Sequence, residues 1–459
     1  MGRAREAFRL CPSSGCASPG PRLAAPPNGA GSWSSACGGR RVALRKASNV
    51  RADLSALLIR DLAQVVTPAA AGAPLRGGAL RELRLIEHGF VLCRGDRIAA
   101  VGRMQELGPL DDADVVEVDG RGRCALPGLV DCHTHSCFAG DRAGEFDLRS
   151  GGASYEELHA AGGGILSTVR ATRAAGDRGL REAVVRHRDW MLAQGTTTFE
   201  AKSGYGLDRE TELASLEAIA EAGGVPTWLG AHTVPPEFPD ADAYLDFALA
   251  DVLPAAAERA EAADVFLERG AFDAAQARRY LEVCARAGLA LRLHADQFTE
   301  AGGIPLAVEL GARSVDHLEA TGPEGVRALA ASAVAAVLLP VAALFLGRPM
   351  PPARSLIDSG AAVALATDFN PGSAFCESLP IVCSLACTQL RMSPAEALAA
   401  CTVNAAHVLG RADRIGRLEP GFAADVVLLE APDWRYLAYH LGGDHVALVA
   451  KDGRIVRRQ

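Results

Sequence analysis

The chain has 459 residues, a formal net charge of −8 and 22% charged residues. This length exceeds one average domain, so we expect one large domain and a smaller one. The negative charge gives no reason to expect nucleic acid or an anionic membrane as a partner, and the apolar runs are shorter than the roughly 18–20 residues of a membrane-spanning helix.

The first segment, residues 1–53, is predicted to be a disordered or targeting-like extension. Its first 50 residues are rich in Arg, Ser, Gly, Pro and Ala, and Glu6 is their only acidic residue. This composition fits a mitochondrial transit peptide, and a disordered extension or an unreliable gene model fits equally well. The apolar core of a secretory signal is missing, so we expect a cytoplasmic protein and leave mitochondrial targeting open.

Both ends of the remaining chain show short apolar runs broken by turn residues, as in "LRLIEHGFVLCRGDRIAAVG" and "VALVAKDGRIVRRQ". The Arg94-Gly95-Asp96 turn between two such runs predicts a β-hairpin. Two β-rich ends around a different middle predict one small β-sandwich domain, formed by residues 54–125 and 409–459.

The middle of the chain, residues 126–408, alternates strand and helix patterns. One segment, "DRETELASLEAIAEAGG", has apolar residues at helical spacing, Asp208 as its predicted N-cap and the Gly223-Gly224 pair as its stop signal. Eight strand–helix repeats over about 280 residues predict an α/β fold class, a (β/α)8 TIM-like barrel. Active sites of such barrels lie at the carboxyl ends of the strands, so functional residues are expected there.

Histidines follow several of the predicted strands. The apolar run that ends in Asp131 leads directly into two of them, and the two-residue period of a strand points both imidazoles to the same side. Five of the eleven histidines lie at strand ends, namely His133, His135, His232, His294 and His317. A lone histidine in such a place is more often structural, but five on one face of a barrel indicate a metal site.

Three imidazoles and one carboxylate can hold zinc or iron with a position open for water. Metal binding lowers the pKa of that water and so provides a nucleophile near neutral pH. We predict one divalent or trivalent ion per chain, with the ligands His133, His135, His294 and Asp368. A carboxylated lysine could bridge two metals from the fourth strand, but Glu268 stands there. Lys202 is therefore expected to be structural or to support the metal ligands without binding the ion itself.

Other polar residues near the strand ends have more than one possible role. Asp368 could be a ligand, a proton acceptor or both, and His317 could stabilise an oxyanion or be a buried hydrogen-bonding residue. Arg142, in a loop expected to overhang the barrel mouth, could bind a carboxylate with two hydrogen bonds or be a solvated surface residue. The phenols of Tyr155 and Tyr205 could contact a substrate if they face the mouth, and otherwise are packing residues.

The assembled pattern resembles the amidohydrolase superfamily of metal-dependent hydrolases. The resemblance covers the chain from about residue 60 to its end, through "LPGLVDCHTHSCFAGDR", "EAKSGYGL", "GAHTVPPE", "DVFLERGAFD", "LHADQF", "DHLE", "TDFNPGS" and "ADRIGRLEPGFAADVVLL". The H-x-H pattern alone marks only the superfamily. The combination of "KSGYGL" with "DFNPGS" is more specific, and it is similar to members that open an imidazolone ring.

The resemblance implies hydrolysis of the ring C–N amide bond of 4-imidazolone-5-propanoate to N-formimidoyl-L-glutamate in histidine degradation, by a homodimer. It implies the same metal ligands and a reacting centre that includes Asp368, His317 and Gln297. It implies substrate contacts from Arg142, Tyr155, Tyr205, His232, Asn370, Gly372 and Ser373. Because Gln297 cannot act as a general base, proton transfer is assigned to Asp368, with His317 stabilising the oxyanion and Arg142 binding the propanoate.

Two other functions stay open at this point. Another mononuclear amidohydrolase, such as a nucleobase deaminase, would need no carboxylate-binding arginine and would release ammonia. A non-catalytic binding protein on the same barrel would be favoured by the loss of a metal ligand, but all four candidate ligands are present in the sequence.

Overall fold

The computed structural model describes residues 56–69, 71–110, 115–152 and 163–459. The predicted extension, residues 1–53, and the predicted substrate-binding residue Tyr155 lie outside the described residues. Within the described ranges, the helices are too short or too polar to cross a membrane.

The described residues form strands and helices whose bounds follow in chain order. The strands are β1 Ala56–Pro68, β2 Leu83–Arg94, β3 Arg97–Arg103, β4 Val115–Asp119, β5 Cys124–Pro127, β6 Leu129–Asp131, β7 Thr196–Lys202, β8 Val225–Ala231, β9 Ala262–Leu267, β10 Ala290–Ala295, β11 Ser314–His317, β12 Ala335–Leu338, β13 Ala362–Leu365, β14 Val426–Leu429, β15 Val446–Lys451 and β16 Arg454–Arg458. The α-helices are α1 Ala143–Ser150, α2 Ile165–Ala193, α3 Arg209–Glu221, α4 Ala241–Phe247, α5 Leu253–Ala256, α6 Ala274–Arg286, α7 Gly303–Leu310, α8 Pro323–Ala330, α9 Pro340–Phe345, α10 Ala353–Asp358, α11 Leu379–Thr388, α12 Pro394–Ala399, α13 Ala405–Val408 and α14 Tyr436–Tyr439. Short 3₁₀ segments lie at Gly77–Arg81 and Met104–Glu106, and π-helical segments lie at Ala248–Val252 and Ala400–Asn404.

Strands from both chain ends form one mixed sheet. Its strand order is β16-β15-β14-β5-β1-β2-β3, and β4 pairs with β1. The turn predicted at Arg94-Gly95-Asp96 joins β2 to β3, which pair in antiparallel fashion, so the predicted hairpin is confirmed. β1 changes register between Ile59 and Leu62, and it pairs with β4 before this irregularity and with β5 after it. Apolar side chains of the two ends share one core, in which Leu57 belongs to the same cluster as Leu448.

Eight parallel strands form the second sheet, in the order β13-β12-β11-β10-β9-β8-β7-β6. The sheet closes where the segments after β6 and β13 meet, with Thr134 bridged to Phe369. The Asp368 N–H donates to the His133 carbonyl at 3.0 Å, and the His135 N–H donates to the Phe369 carbonyl at 3.0 Å. With helices between its strands, this sheet is the predicted (β/α)8 TIM-like barrel, and the predicted fold class is confirmed.

Local sequence signals explain where barrel helices begin and end. α3 begins after Asp208, whose carboxylate accepts the Thr211 N–H at 2.7 Å, as the sequence predicts. The chain leaves this helix at Gly223, whose φ of 80° lies in the left-handed region that glycine tolerates. Before α6, Asp273 and Gln276 form a capping box that satisfies two backbone N–H groups.

The helical pattern "SPAEALAACTVNAAHVLG" is interrupted, because the π-helical segment Ala400–Asn404 separates α12 from α13. At the end of this segment the Asn404 side chain accepts the Leu75 N–H at 2.7 Å and donates to the carbonyls of Leu75 and Val363 at 2.9 and 2.8 Å. These bonds are buried. One amide therefore connects the segment between β1 and β2 to the barrel strand β13, an interaction that helical periodicity does not reveal.

His187 on α2 is buried against the loop that follows β6. Its Nδ1–H donates to the Ser136 carbonyl at 2.8 Å, and its ring stacks on Phe138 with centroids 4.4 Å apart. Burial lowers the pKa of His187 to about 4, although the bond to Ser136 opposes the shift. The folded protein therefore accommodates the neutral imidazole.

We expect His187→Gln to weaken the dependence of the unfolding free energy on pH. The pKa of a histidine in the unfolded chain is roughly 6.5, so between this pH and pH 4 the unfolded state binds more protons than the folded state. Stability is therefore lost as the pH falls through that window, and His187 accounts for roughly 2 kcal/mol of the loss. Urea unfolding at about pH 7 and about pH 4.5 measures it.

The control for this prediction is His88→Gln, because His88 is an exposed histidine. We expect it to keep the pH dependence of the unmodified protein. The prediction is wrong if His187→Gln and the unmodified protein lose the same free energy between the two pH values.

Candidate active site

A cavity of about 730 Å³ opens at the carboxyl ends of the barrel strands. Most of the residues predicted to bind the metal or to act on a substrate line this cavity. The barrel architecture predicts this location, because active sites lie at the carboxyl ends of the strands. They are His135, Arg142, Tyr205, His232, His294, Gln297, His317, Asp368, Asn370, Gly372 and Ser373.

The four predicted metal ligands meet beside this cavity. Asp368 Oδ1 lies 3.5 Å from His133 Nε2 and 3.4 Å from His135 Nε2, and His135 Nε2 lies 3.2 Å from His294 Nε2. His133 Nε2 is buried and has no hydrogen-bond partner among the described residues. A small cation between these atoms would satisfy this nitrogen. Ring nitrogens of His133, His135 and His294 lie within 4.8 Å of one another, and Asp368 belongs to a second such group with His133 and His317. The residues present therefore fit a metal ion.

The environment of these side chains favours the protonation states that bind metal. Burial lowers the pKa of His135 below the usual histidine value and lowers the pKa of His294 to about 4. Burial alone would raise the pKa of Asp368, but the imidazoles of His133 and His135 beside its carboxylate hold it well below the usual carboxyl value. His135 and His294 are therefore neutral, and Asp368 is an ionised carboxylate.

Two residues at the strand ends have unusual backbone conformations. His317 has a φ of 88° and Asp368 a φ of 55°, in the left-handed region that non-glycine residues seldom occupy. One ring nitrogen of His317 lies within 4.8 Å of ligand atoms of His133 and Asp368. Burial alone would lower the pKa of His317, but the carboxylates of Glu319 and Asp368 raise it above the usual value. His317 is therefore suited to donate a hydrogen bond beside the metal ligands.

Arg142 lies at the mouth and is largely buried rather than solvated. Its Nη2 and Nε donate to the two carboxylate oxygens of Glu145 at 2.8 and 3.1 Å, and Glu145 also accepts the Gly164 N–H at 2.8 Å. The guanidinium packs against the backbone of Gly372, where a Cβ would come within 2.0 Å of Arg142 Nη1. The Glu145 carboxylate thus fixes one edge of the Arg142 guanidinium. The guanidinium can occupy this position only because Gly372 has no Cβ.

Tyr205 and His232 form an aromatic wall next to the predicted ligands. The His232 Nδ1–H donates to the Gly204 carbonyl at 2.9 Å, and its ring stacks on His135 and contacts Tyr205 with centroids 5.2 Å apart in each case. Burial raises the pKa of Tyr205 and lowers the pKa of His232 well below the usual value. Both side chains are therefore neutral, and Tyr205 can serve as a hydroxyl donor.

Two loops complete the mouth. In the loop after β13, Asn370 Oδ1 accepts the N–H groups of Gly372 and Ser373 at 2.8 Å, and its amide donates to the Asp368 carbonyl at 2.6 Å. These bonds hold the loop in shape around the carboxylate that faces the histidines.

The second loop follows β10 and carries Gln297. Glu268 Oε2 accepts the N–H groups of Phe298 and Thr299 at 2.8 and 3.1 Å. The Glu268 carboxylate therefore positions the loop beside Gln297. Among the described residues, Glu268 does not belong to the groups of side chains that could hold a metal ion.

Two buried carboxylates that were not predicted from the sequence contact the predicted ligands from inside the barrel. Asp316 accepts the His133 Nδ1–H at 2.6 Å, and Asp264 accepts the His294 Nδ1–H at 3.1 Å. Lys202, which the sequence predicts to be structural or to support the metal ligands, is buried and paired with Asp264 at 2.8 Å. A signal was present in the sequence. An isolated charge stands between apolar residues in the short strand patterns "ADVFLE" and "LRLH", and directly after an apolar residue in "SVDH".

Comparison with known proteins gives the family context of this site. The amidohydrolase family matches residues 124–456. An imidazolonepropionase of Rubrobacter xylanophilus is 63% identical over 412 residues, which cover 87% of this chain and 98% of the relative. An imidazolonepropionase of Chloroflexus aggregans is 50% identical over 419 residues, which cover 87% of this chain and 98% of the relative.

Similarity also extends to solved structures. Escherichia coli guanine deaminase has a TM-score of 0.67 and 16% identity, with 88% of this chain and 99% of the deaminase chain covered. At this identity the similarity concerns the fold alone.

We expect Gly372→Ala to displace the Arg142 guanidinium, because the added Cβ would lie 2.0 Å from Nη1. The far end of an arginine can move, so we expect little loss of stability and a broken or rearranged pair with Glu145. A crystal structure of the variant measures the displacement. Gly144→Ala is the control, since its Cβ would meet no atom within 4 Å; an unmoved Arg142 in Gly372→Ala would contradict the prediction.

Proposed function

The chain belongs to the amidohydrolase family and, within it, to the imidazolonepropionases, and from this premise we propose how its residues divide the reaction. It is a hydrolase of a cyclic amide: water adds across the ring C–N bond of 4-imidazolone-5-propanoate and gives N-formimidoyl-L-glutamate. The observation that carries the division of roles is that Asp368 lies 3.5 and 3.4 Å from His133 and His135, and His135 lies 3.2 Å from His294, beside a cavity that Arg142 lines.

The metal ligands in this proposal are His133, His135, His294 and Asp368, and they hold one ion, zinc or iron. The ion, when bound, lowers the pKa of a water molecule and so supplies the nucleophile at neutral pH. The unpartnered and buried Nε2 atom of His133 supports this assignment.

Two residues beside the ligands move or hold protons. The Asp368 carboxylate, which is ionised, takes the proton from the attacking water and returns it to the ring nitrogen as the C–N bond breaks. His317, with its raised pKa, donates a hydrogen bond to the carbonyl oxygen that gains negative charge. Gln297 cannot accept a proton in this way and contributes an amide hydrogen bond at the reacting centre.

The remaining residues bind and orient the substrate. Arg142 binds the propanoate carboxylate, because a guanidinium held by Glu145 is already oriented and loses little freedom on binding. The rings of Tyr205 and His232 contact the imidazolone. The loop residues Asn370, Gly372 and Ser373 contact the product end, and a contact from Tyr155 stays a prediction.

The decisive experiment is an assay with freshly generated imidazolone propanoate, run beside quantification of bound metal. We expect loss of the imidazolone and formation of the formimidoyl product without release of ammonia. Ammonia release from a nucleobase would favour a deaminase instead. Carefully purified protein that neither binds metal nor turns over any of these compounds would favour a binding protein.

Several finer statements stay predictions of this proposal. The enzyme would act in histidine degradation, because its substrate is an intermediate of that route. It would form a homodimer and work in the cytoplasm without a nucleic-acid or membrane partner.

We expect Arg142→Ala to raise KM at least roughly tenfold with a smaller change in kcat, because the lost ionic hydrogen bonds act on the carboxylate and not on the reacting bond. Steady-state kinetics measure the two constants. Arg178→Ala serves as the control because the Arg178 side chain is 93% exposed on α2. An unchanged KM in Arg142→Ala would refute the role of this arginine.

We expect removal of the metal by a chelator to abolish hydrolysis, and His294→Ala to have the same effect, because both remove the source of the nucleophile at neutral pH. Activity should return to the chelated protein, but not to the variant, on addition of zinc or iron. His440→Ala, at an exposed histidine, is the matched control. Full activity in protein shown to be metal-free would sink the metal assignment.

A further inference from the structure

Five charged side chains lie inside the barrel next to the proposed metal ligands, and each is at most 1% exposed. They are Glu200 and Lys202 on β7, Asp264 on β9, Arg292 on β10 and Asp316 on β11. Barrel interiors are usually filled with apolar side chains, and burying charge is unfavourable unless each charge has partners. We call these five residues the buried charge cluster.

The buried charge cluster is paired internally. Lys202 Nζ lies 2.7 Å from Glu200 Oε1 and 2.8 Å from Asp264 Oδ2. Arg292 lies 3.0 Å from Glu200 Oε1 and 3.4 Å from Asp316 Oδ2. Three carboxylates and two cations leave one formal negative charge, so the cluster attracts a cation placed beside it.

Two carboxylates of the cluster also contact ligand histidines. Asp316 Oδ2 accepts the Nδ1–H of His133 at 2.6 Å, and Asp264 Oδ1 accepts the Nδ1–H of His294 at 3.1 Å. A neutral imidazole that donates through Nδ1 has its lone pair on Nε2. The two contacts therefore select the tautomer in which Nε2 faces the other ligands.

The third carboxylate acts on the backbone of the same segment. Glu200 Oε2 accepts the N–H of Thr134, which stands between His133 and His135, at 3.1 Å. The Thr134 hydroxyl donates to the Glu200 carbonyl at 2.7 Å. These two bonds from β7 thus fix the backbone between His133 and His135.

We propose that Asp264 and Asp316 are positioning residues for the metal site. Each fixes the tautomer and the ring orientation of one ligand histidine. The cations of Lys202 and Arg292 hold the two carboxylates in place. The buried charge cluster thus fixes the orientation of the ligand histidines. This inference rests on the proposed metal site, but metal binding tests it without any substrate.

The test uses the full chain with Zn²⁺ as the probe. Asp264→Asn and Asp316→Asn keep the size of the side chain and remove the carboxylate. Competition with a chromophoric chelator measures zinc affinity, and we expect each variant to bind roughly 10- to 100-fold more weakly. The visible absorption of the Co²⁺-loaded protein reports ligand geometry and is expected to change as well.

The matched control is Asp425→Asn, directly before β14. Asp425 is 4% exposed and pairs with Lys451 Nζ at 2.8 Å, so it is also a buried aspartate in an ion pair. We expect this variant to unfold at a lower urea concentration and to keep the zinc affinity of the unmodified protein. A merely structural role of Asp264 and Asp316 would produce the same result in all three variants.

A second pair of variants covers the case in which an Asn variant does not fold. Lys202→Met removes a cation and leaves every carboxylate, and Lys202→Arg restores the charge. Zinc affinity that falls in Lys202→Met and recovers in Lys202→Arg supports the proposal. Unmodified zinc affinity in the folded variants overturns it. If zinc affinity falls as expected but the unmodified protein does not hydrolyse imidazolone propanoate, the proposed function fails and this inference stands.

Discussion

The site depends on the hydrogen bonds that close the barrel between its first and last strands. The segment after β6 carries two of the proposed ligands and the segment after β13 carries Asp368, which donates its N–H to the His133 carbonyl. Asp131 strengthens this closure, because its carboxylate accepts the N–H and the hydroxyl of Thr367 at 3.2 and 2.6 Å. Asp131 and Thr367 are 236 positions apart in the chain, so the ligand set exists only in the closed barrel.

The closed barrel tolerates unfavourable local features at its mouth. Asp368 and His317 occupy left-handed backbone conformations, and the buried charge cluster replaces apolar packing beneath them. Such features persist only where the surrounding structure determines them strongly. Here the surroundings supply parallel strand pairing on both sides and a large apolar core outside the strands. The paired strands and the surrounding apolar core thus stabilise a polar barrel interior. This interior holds the side chains of the proposed site in fixed orientations.

The sequence predicts features that depend on local or strictly periodic patterns. The Arg94-Gly95-Asp96 hairpin, the Asp208 cap and the strand-end histidines are of this kind, because turn chemistry and a two-residue period suffice to find them. The partners of Asp264 and Asp316 could not be predicted, because they depend on the register between strands that lie far apart in the sequence. The same holds for Asn404, whose contacts require a widened helical turn and two distant backbone segments.

The position of β5 between β1 and β14 has a consequence for synthesis on the ribosome. Pro127 at the end of β5 pairs with Val426, so its neighbour is translated roughly 300 residues later, or about 15–60 s at typical elongation rates. Throughout this interval the nascent chain presents an apolar strand with one unpaired edge. Exposed edges of this kind can pair with other chains, and in the folded protein β14 covers this edge of β5.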